Sequence, residues 1–205
     1  ELIQVCNPMR PCTFLHGRRG HLRFEFRVMP DDNLKDLENE DFVWNLLSPW
    51  INKNNAKLER SVIYNFHACI ANKWQKGNVF IAGDSAHQMP PFMGAGMGTG
   101  IRDVANLSWK INLVLKNIAK SEILKTYQKE RYPHAKWTIA QTVSIGEIIE
   151  GFCAVEEGKK FIPEKKGYDV KFPHIPSGIF TNPEDRISGY PVPQPTLHIN
   201  NKKIK

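Results

Sequence analysis

Residues 78–110 constrain the fold more than any other part of this chain of 205 residues. A short apolar run at 79–82 stops at Gly83 and Asp84, and two prolines follow it. Glycine then occupies every second position before an amphipathic helix, at Gly94, Gly96, Gly98 and Gly100. Such glycines allow a ligand to approach the backbone closely, where unpaired amides can bind it. The order of strand, acid, stiff loop, glycine loop and helix predicts a site that holds a polar cofactor.

The first third of the chain is expected to form an antiparallel sheet. Residues 22–28 alternate between apolar and charged side chains, which predicts a half-buried strand, and a turn at 17–20 joins it to a partner strand at 13–15. Residues 58–70 alternate again and predict one long strand, or two strands with a break. A short helix is expected over residues 41–47, before Ser48-Pro49.

The middle of the chain has a different pattern. The run at 79–82 is apolar throughout, which predicts a strand covered on both faces in an α/β layer. Ser121 is expected to cap a second helix that Pro133 kinks or interrupts, and a third helical stretch at 135–149 stops at Gly151. The first helix is predicted from apolar and small residues that recur at helical spacing, namely Ile101, Val104, Ala105, Ser108, Ile111, Leu115 and Ile118.

These patterns predict a mixed fold of α+β and α/β character in three parts. Residues 1–72 contain the antiparallel sheet, and residues 73–150 contain the α/β portion with its C-terminal helices. Residues 151–205 are expected to form an extended arm or linker, because seven of the fourteen prolines lie between positions 163 and 195.

Composition excludes several classes of function. The net charge of +7 comes without any nucleic-acid-binding motif, so no nucleic-acid partner is expected. No apolar run approaches the ~18 residues of a membrane span, and the first residues lack the pattern of a signal peptide. The four cysteines contain no C-x-x-C pair, which argues against a zinc site and a disulfide framework and predicts a reduced, cytoplasmic setting.

Several simpler interpretations of the glycine-rich stretch stay open. A dinucleotide fingerprint is disfavoured because Thr99 and Ile101 occupy the positions where G-x-G-x-x-G needs glycine, which also disfavours a nicotinamide dehydrogenase. A P-loop is excluded because no Gly-Lys-Ser/Thr follows. The glycines could instead form a plain flexible loop, Asp84 could cap a turn, and His87 is either a general base or, more often for a lone histidine, structural.

The motif G-D-S-A-H-Q-M-P-P-F-M-G-A-G-M-G-T-G-I-R-D-V-A-N-L-S-W-K-I resembles the second FAD-binding motif of the aromatic-ring hydroxylases. These are the flavoprotein monooxygenases typified by p-hydroxybenzoate hydroxylase, and the chain is most similar to the 3-(3-hydroxyphenyl)propionate hydroxylases. The resemblance covers residues 6–149. It is supported by the segments at 10–14, 22–26 and 64–68 and by L-x-x-Y-x-x-E-R-x-P-H-A at 124–135.

The resemblance implies an enzyme in which FAD, reduced by NADH or NADPH, uses O2 to hydroxylate a phenolic aromatic acid. Residues 1–72 would belong to a substrate domain, and 73–150 to an FAD-binding domain. Asp84 would hold the ribityl or ribose part of FAD, and Pro91 and Phe92 would face the substrate. The flavin carries the chemistry, so no catalytic residue and no metal are expected. The full implied cofactor set is Gly83, Asp84, Pro91, Gly94, Gly96, Met97 and Gly98, with the amides of the last three at the flavin ring and a helix running from Gly100.

The chain also departs from the family pattern. The first βαβ unit with G-x-G-x-x-G and the second family motif are absent, and many relatives add a thioredoxin-like domain at the C-terminus. Gly98 stands where the benzoate-type enzymes usually carry Asn. The chain thus resembles an internal and C-terminal segment whose partner would be a separate N-terminal FAD-binding half, with a homo-oligomer also open. The alternative is a non-catalytic remnant, or a split-gene subunit that acts only in binding or assembly.

Overall fold

A computed structural model describes residues 2–155, residue 178, and the backbone of residues 197–199 and 202–204. The chain divides into two compact units, one of residues 1–65 and 146–166 and the other of residues 66–145 and 167–205. Within the described residues, no helix has the length and apolar character needed to cross a membrane.

The first unit is built on a three-stranded antiparallel sheet in the order β1 (Leu2–Val5), β2 (Cys12–His16) and β3 (Leu22–Phe26). Phe14 pairs with Phe24 across β2 and β3, and their rings stack with centroids 4.6 Å apart. The Trp50 ring lies 5.6 Å from Phe24 and 6.0 Å from Phe26. Cross-strand aromatic pairs of this kind stabilise a sheet, and the predicted strand at 22–28 with its partner is confirmed.

Two short helices follow this sheet, α1 (Leu34–Leu37) and α2 (Glu40–Leu47). Each begins after an asparagine whose side-chain oxygen accepts a backbone N–H of the first turn, Asn33 for α1 and Asn39 for α2. The helix predicted at 41–47 is therefore confirmed, with its start one residue earlier. The strand predicted at 58–70 is wrong, because only its last two residues, β4 (Cys69–Ile70), form a strand in the described chain.

The second unit contains two small antiparallel ladders. β4 pairs with β7 (His87–Gln88), and β5 (Gln75–Lys76) pairs with β6 (Val79–Phe80). The prediction of a strand at 79–82 covered on both faces is wrong for its first residue, since the Val79 side chain is 68% exposed. Within the described residues, β6 has a neighbour on one side only, and that neighbour is antiparallel.

The two long helices differ from the sequence predictions at their ends. The first, α3 (Gly96–Leu115), begins five residues before Ile101, so three of the predicted loop glycines lie inside it. The second, α4 (Thr126–Cys153), runs through both Pro133 and Gly151, so the predicted interruption at Pro133 and the predicted stop at Gly151 are wrong. Ser121 does not cap this helix. Residues 121–125 form a separate 3-10 helix, whose N-cap position is Lys120 and has no side-chain capping hydrogen bond.

Two further strands, β8 (Leu197–Ile199) and β9 (Lys202–Ile204), pair with each other. The rest of the arm predicted at residues 151–205 lies outside the described residues, apart from residues 151–155 and residue 178.

The core of the second unit forms around Trp74, whose indole N–H donates to the Ala71 carbonyl at 3.0 Å. The Tyr127 ring packs 5.5 Å from Trp74, and its hydroxyl donates to the Ile81 carbonyl at 3.0 Å. Burial raises the pKa of this Tyr127 hydroxyl well above its ordinary value. The early turns of α4 are thus fixed on the segment that leads into the Gly83-Asp84 turn, and the buried cluster comprises Trp74, Ala86, Leu107, Tyr127 and Ala135.

Candidate functional site

The Gly83-Asp84 turn lies directly against α3. Residues 83–85 form one turn of 3-10 helix, and Gly83 has a φ of +58°, a conformation that favours glycine. A Cβ atom added to Gly100 would lie 3.2 Å from the Gly83 Cα atom, which is too close for an unstrained contact. Glycine at position 100 therefore permits this close packing of the turn on the helix, which was not expected from the sequence.

A buried carboxylate fixes the same contact. Asp103 on α3 is fully buried and accepts three hydrogen bonds: from the Gly83 N–H at 3.1 Å, from His87 Nε2 at 2.6 Å and from Arg131 Nε at 2.8 Å. Burial alone would raise the pKa of Asp103, but the hydrogen bonds from His87, Arg131 and the Gly83 N–H outweigh it and lower this pKa. Asp103 thus stays ionised and joins turn, helix α3 and helix α4.

His87 belongs to this buried cluster. It is 1% exposed, its ring packs against Trp74 at 5.4 Å, and its Nε2 must carry the proton that Asp103 accepts. Its Nδ1 atom has no hydrogen-bond partner among the described residues. The environment favours the structural interpretation of His87 over the general-base one, because the ring is enclosed by protein atoms.

A second polar network lies further along α3. Lys110 is fully buried and donates to Glu130 Oε2 at 2.6 Å and to Asn106 Oδ1 at 2.8 Å, while the Asn106 amide donates to the same Glu130 oxygen. Burial lowers the pKa of Lys110 and the Glu130 carboxylate opposes this shift. Neither Asp103 nor Lys110 was predicted from the sequence as a functional residue. Two features of the sequence could have indicated them: the helical spacing of Asp103 and Lys110, and the Glu-Arg pair in the motif at 124–135.

The predicted substrate-facing residues follow the turn. Pro91, Phe92 and Met93 form a 3-10 turn that ends at Gly94, whose φ of +60° favours glycine. Phe92 is 38% exposed, and its ring meets the Phe66 ring edge to face with centroids 5.6 Å apart. Asp84 is exposed, and its carboxylate has no hydrogen-bond partner among the described residues. Both side chains are therefore accessible to a ligand.

The first turn of α3 presents amides that are unpaired within the described residues. The Ala95 carbonyl accepts the Thr99 N–H at 2.9 Å, so the first helical positions are Gly96, Met97 and Gly98, and no side chain caps them. The Met97 side chain is 80% exposed, and a Cβ atom added to Gly96 would meet nothing within 4 Å. An open helix start of this kind attracts negatively polarised acceptor atoms. The turn, the exposed acid and these amides lie in one unit of the chain.

Comparison with known proteins shows which protein family contains most of this chain. Residues 12–142 match a protein family described as "FAD binding domain". A "probable NADH-specific resorcinol 4-hydroxylase" of Rhodococcus jostii is 33% identical to the chain over 190 residues, which are 89% of this chain and 36% of that protein. The "3-(3-hydroxy-phenyl)propionate/3-hydroxycinnamic acid hydroxylase" of Escherichia coli is 37% identical over 150 residues, which are 73% of this chain and 27% of that one.

Solved structures share the fold. The flavin-dependent monooxygenase PieE, solved with FAD and substrate, aligns with a TM-score of 0.61 at 24% identity over 70% of this chain and 25% of its own. Aklavinone-11 hydroxylase, solved with FAD and aklavinone, aligns with a TM-score of 0.60 at 24% identity over 77% of this chain and 30% of its own. The chain spans about a third or less of the proteins that it matches.

Proposed function

Because the chain belongs to the FAD binding domain family, we propose that it is a segment of a flavin monooxygenase that hydroxylates a phenolic aromatic acid with NADH or NADPH and O2. The observation that carries the proposal is the open, uncapped start of α3 at Gly96, directly after the Gly94 turn. The proposed division keeps residues 1–72 in a substrate domain, 73–150 in the FAD-binding domain and 151–205 as an arm.

The residues at the start of α3 fit a flavin. The N–H groups of Gly96, Met97 and Gly98 are donors without helical acceptors, and the pyrimidine edge of a flavin carries acceptor atoms. The absence of side chains at Gly94 and Gly96 leaves space for a flat ring beside the backbone. When bound, FAD supplies the redox chemistry, by taking electrons from the nicotinamide and passing them to oxygen. The positive end of α3 would stabilise negative charge that develops on the ring edge facing it.

Gly83 and Asp84 would hold the polar chain of the cofactor. The exposed Asp84 carboxylate can accept hydrogen bonds from ribityl or ribose hydroxyls. Asp103 supports the site indirectly. It accepts a hydrogen bond from the Gly83 N–H, which fixes the backbone from which Asp84 projects. We therefore interpret Asp103 as a positioning residue rather than a ligand of FAD.

The substrate would lie against the turn at Pro91 and Phe92. The Pro91 carbonyl already accepts the Gly94 N–H at 2.8 Å and would accept a second hydrogen bond from a phenol. The Phe92 ring supplies an apolar surface that excludes water from the reacting ring. The two relatives named above are described as acting on resorcinol and on 3-(3-hydroxyphenyl)propionate, which supports a phenolic substrate. The Rhodococcus name supports NADH as the reductant.

A non-catalytic role is the second candidate, and one observation favours it. These 205 residues carry no G-x-G-x-x-G for the ADP half of FAD, so the chain alone is expected to bind FAD weakly and to act only in binding or assembly.

Reconstitution separates the two candidates. The 205-residue chain is mixed with the polypeptide encoded immediately upstream of Glu1, and FAD uptake is followed by the flavin absorbance of the gel-filtered complex. We expect the mixture, but not the chain alone, to retain FAD and to oxidise NADH with formation of a hydroxylated product from resorcinol or 3-(3-hydroxyphenyl)propionate. Retention of FAD without product would support the assembly role, and no uptake of FAD would contradict both the site and the proposed enzyme.

A further inference from the structure

Two cysteines lie where the last turn of α4 meets the end of strand β1. Cys6 directly follows β1 and is exposed, whereas Cys153 is the last residue of α4 and is 5% exposed. Both are free, and their side chains meet closely enough for a hydrogen bond between the two thiols. They belong to the first unit of the chain, and the proposed flavin site uses neither of them.

Contacts that do not involve the thiols bring the same two segments together. Arg27 Nη2 lies 3.2 Å from Glu150 Oε1, and Glu150 precedes Cys153 by three positions, so the two share one side of α4. The backbone N–H of Arg27 donates to the Pro11 carbonyl at 3.0 Å, directly before β2, and β2 pairs with the strand that leads into Cys6. The end of α4 is therefore held beside the residues that follow β1.

The two thiols differ in their environment. Burial, and after it the neighbouring Cys6, raise the pKa of the Cys153 thiol to about 11. Cys153 thus keeps its proton at neutral pH, and the protonated form is the unreactive one. A small oxidant in solution reaches the exposed Cys6 sulfur and not the buried Cys153 sulfur, which lies beside Cys6. This pairing of an accessible thiol with a protected one suits a two-step oxidation.

We propose that Cys6 and Cys153 form a reversible disulfide when the chain meets a peroxide. The Cys6 thiolate attacks one oxygen of hydrogen peroxide, the O–O bond breaks, and Cys6 becomes a sulfenic acid while hydroxide leaves. The Cys153 sulfur then loses its proton and attacks the Cys6 sulfur, so that the S–S bond forms, the S–O bond breaks and water leaves. The two thiols lose two electrons in total, and one hydrogen peroxide is reduced to two waters.

The disulfide joins the end of α4 to the residues after β1. A cross-link between positions so distant in sequence restricts the unfolded chain, so the oxidised chain should unfold at a higher urea concentration than the reduced one. Disulfides in reducing compartments are usually transient and redox-sensing, which agrees with the reduced setting predicted from the sequence. The proposal does not depend on FAD or on the proposed hydroxylation.

The test uses the 205-residue chain without flavin. The chain is treated with hydrogen peroxide, its remaining thiols are alkylated without reduction, and cross-linked peptides are identified by mass spectrometry. We expect two of the four thiols to disappear, a Cys6–Cys153 peptide pair to form, and dithiothreitol to restore both thiols. Cys6→Ser should prevent this bond, whereas Cys69→Ser, which alters an exposed cysteine in the other unit, should not. In Cys153→Ala, Cys6 should stay a sulfenic acid that dimedone captures.

Several outcomes would overturn the proposal. Four free thiols after peroxide treatment would show that the pair does not react, and an equal yield of disulfide in Cys6→Ser would assign the bond to other cysteines. A cross-link between the Cys6 residues of two copies would show that Cys153 is not the second thiol. Cys6→Ser alters an exposed side chain and should keep the wild-type circular dichroism spectrum. The shift to higher urea concentration on oxidation should be absent in Cys6→Ser, and the same shift in both chains would contradict the proposed cross-link.

Discussion

Removal of the Asp103 carboxylate is predicted to destabilise the second unit strongly. In Asp103→Asn, one oxygen still accepts a hydrogen bond, but the new NH2 group faces donors from Arg131, His87 or Gly83. The Arg131 side chain, which is 9% exposed, is left without its charged partner. Removing one member of a buried ion pair typically costs about 3–5 kcal/mol, which is a third or more of the stability of many domains.

The assay is urea unfolding followed by circular dichroism, with Asp41→Asn as the matched control. Asp41 also pairs with a cation, at 2.7 Å from Lys53, but its side chain is 82% exposed, so the control should unfold at the wild-type urea concentration. Asp103 has a lowered pKa, so its stabilising effect is present above its ordinary value of 3.8 and is lost as pH falls through its lower folded value. The difference in unfolding free energy between wild type and Asp103→Asn should therefore become smaller in strong acid. A loss of unfolding free energy below about 1 kcal/mol at pH 7, similar to that of the control, would show that Asp103 does not join the turn to α3 and α4.

Three further predictions follow from the site. Gly100→Ala should lower the free energy of unfolding by about 1–3 kcal/mol in a urea titration, because its Cβ would lie 3.2 Å from the Gly83 Cα. The control Gly96→Ala has open space around the added Cβ and should be tolerated. Equal effects of the two substitutions would show that Gly100 does not pack on the turn. Asp84→Ala, in the complex reconstituted with FAD, should weaken FAD binding by roughly ten- to hundredfold in a fluorescence titration, and unchanged affinity would reduce Asp84 to a turn residue. Burial and the nearby Arg131 and Arg102 lower the pKa of His134 from 6.5 to about 4. The free energy of unfolding should therefore fall between pH 6.5 and 4, because only the unfolded chain takes up a proton there. His134→Gln should reduce that fall by about 1–2 kcal/mol at pH 5.

The elements that follow a local pattern could be predicted from the sequence. The alternation at 22–28 is realised in β3, where Phe24 packs on Phe14 of its paired strand. The helix at α2 follows from its asparagine cap and buried Trp44. The same alternation at 58–70 is misleading, because a strand needs a pairing partner that local sequence cannot report, and within the described chain only β4 obtains one.

The faces and ends of the long helices depend on distant contacts. Three glycines in the first turns of α3 oppose helix formation by propensity, but Gly100 packs on Gly83 and Asp103 binds the same turn, which fixes the helix there. The charged face of α3 is buried because Glu130 and Arg131 lie opposite it on α4, 20 and 28 residues from their partners. Helix α4 continues through Pro133 in a stretch whose flanking residues, Tyr127 and Ala135, are both fully buried.

The members of the candidate site were proposed from the sequence, whereas the residues that pack behind them were not. The motif and its resemblance placed Asp84, Phe92 and the amides of residues 96–98 in one stretch, and the match to the FAD binding domain family confirms the class of cofactor. The individual roles of these residues stay predictions. Asp103 was missed because a helical Asp beside Arg102 is usually a solvated charge, and its burial depends on Arg131 and His87.

The FAD affinity of Gly96→Val in the reconstituted complex shows most clearly whether the uncapped start of α3 holds the flavin ring. The control is Ser121→Val, which places the same side chain at the exposed start of another helical turn. We expect Gly96→Val to lose FAD, or to retain it but consume NADH with release of hydrogen peroxide instead of hydroxylated product, while Ser121→Val does neither. A Gly96→Val complex with wild-type FAD affinity and full coupling of NADH to product would show that this part of α3 does not hold the ring.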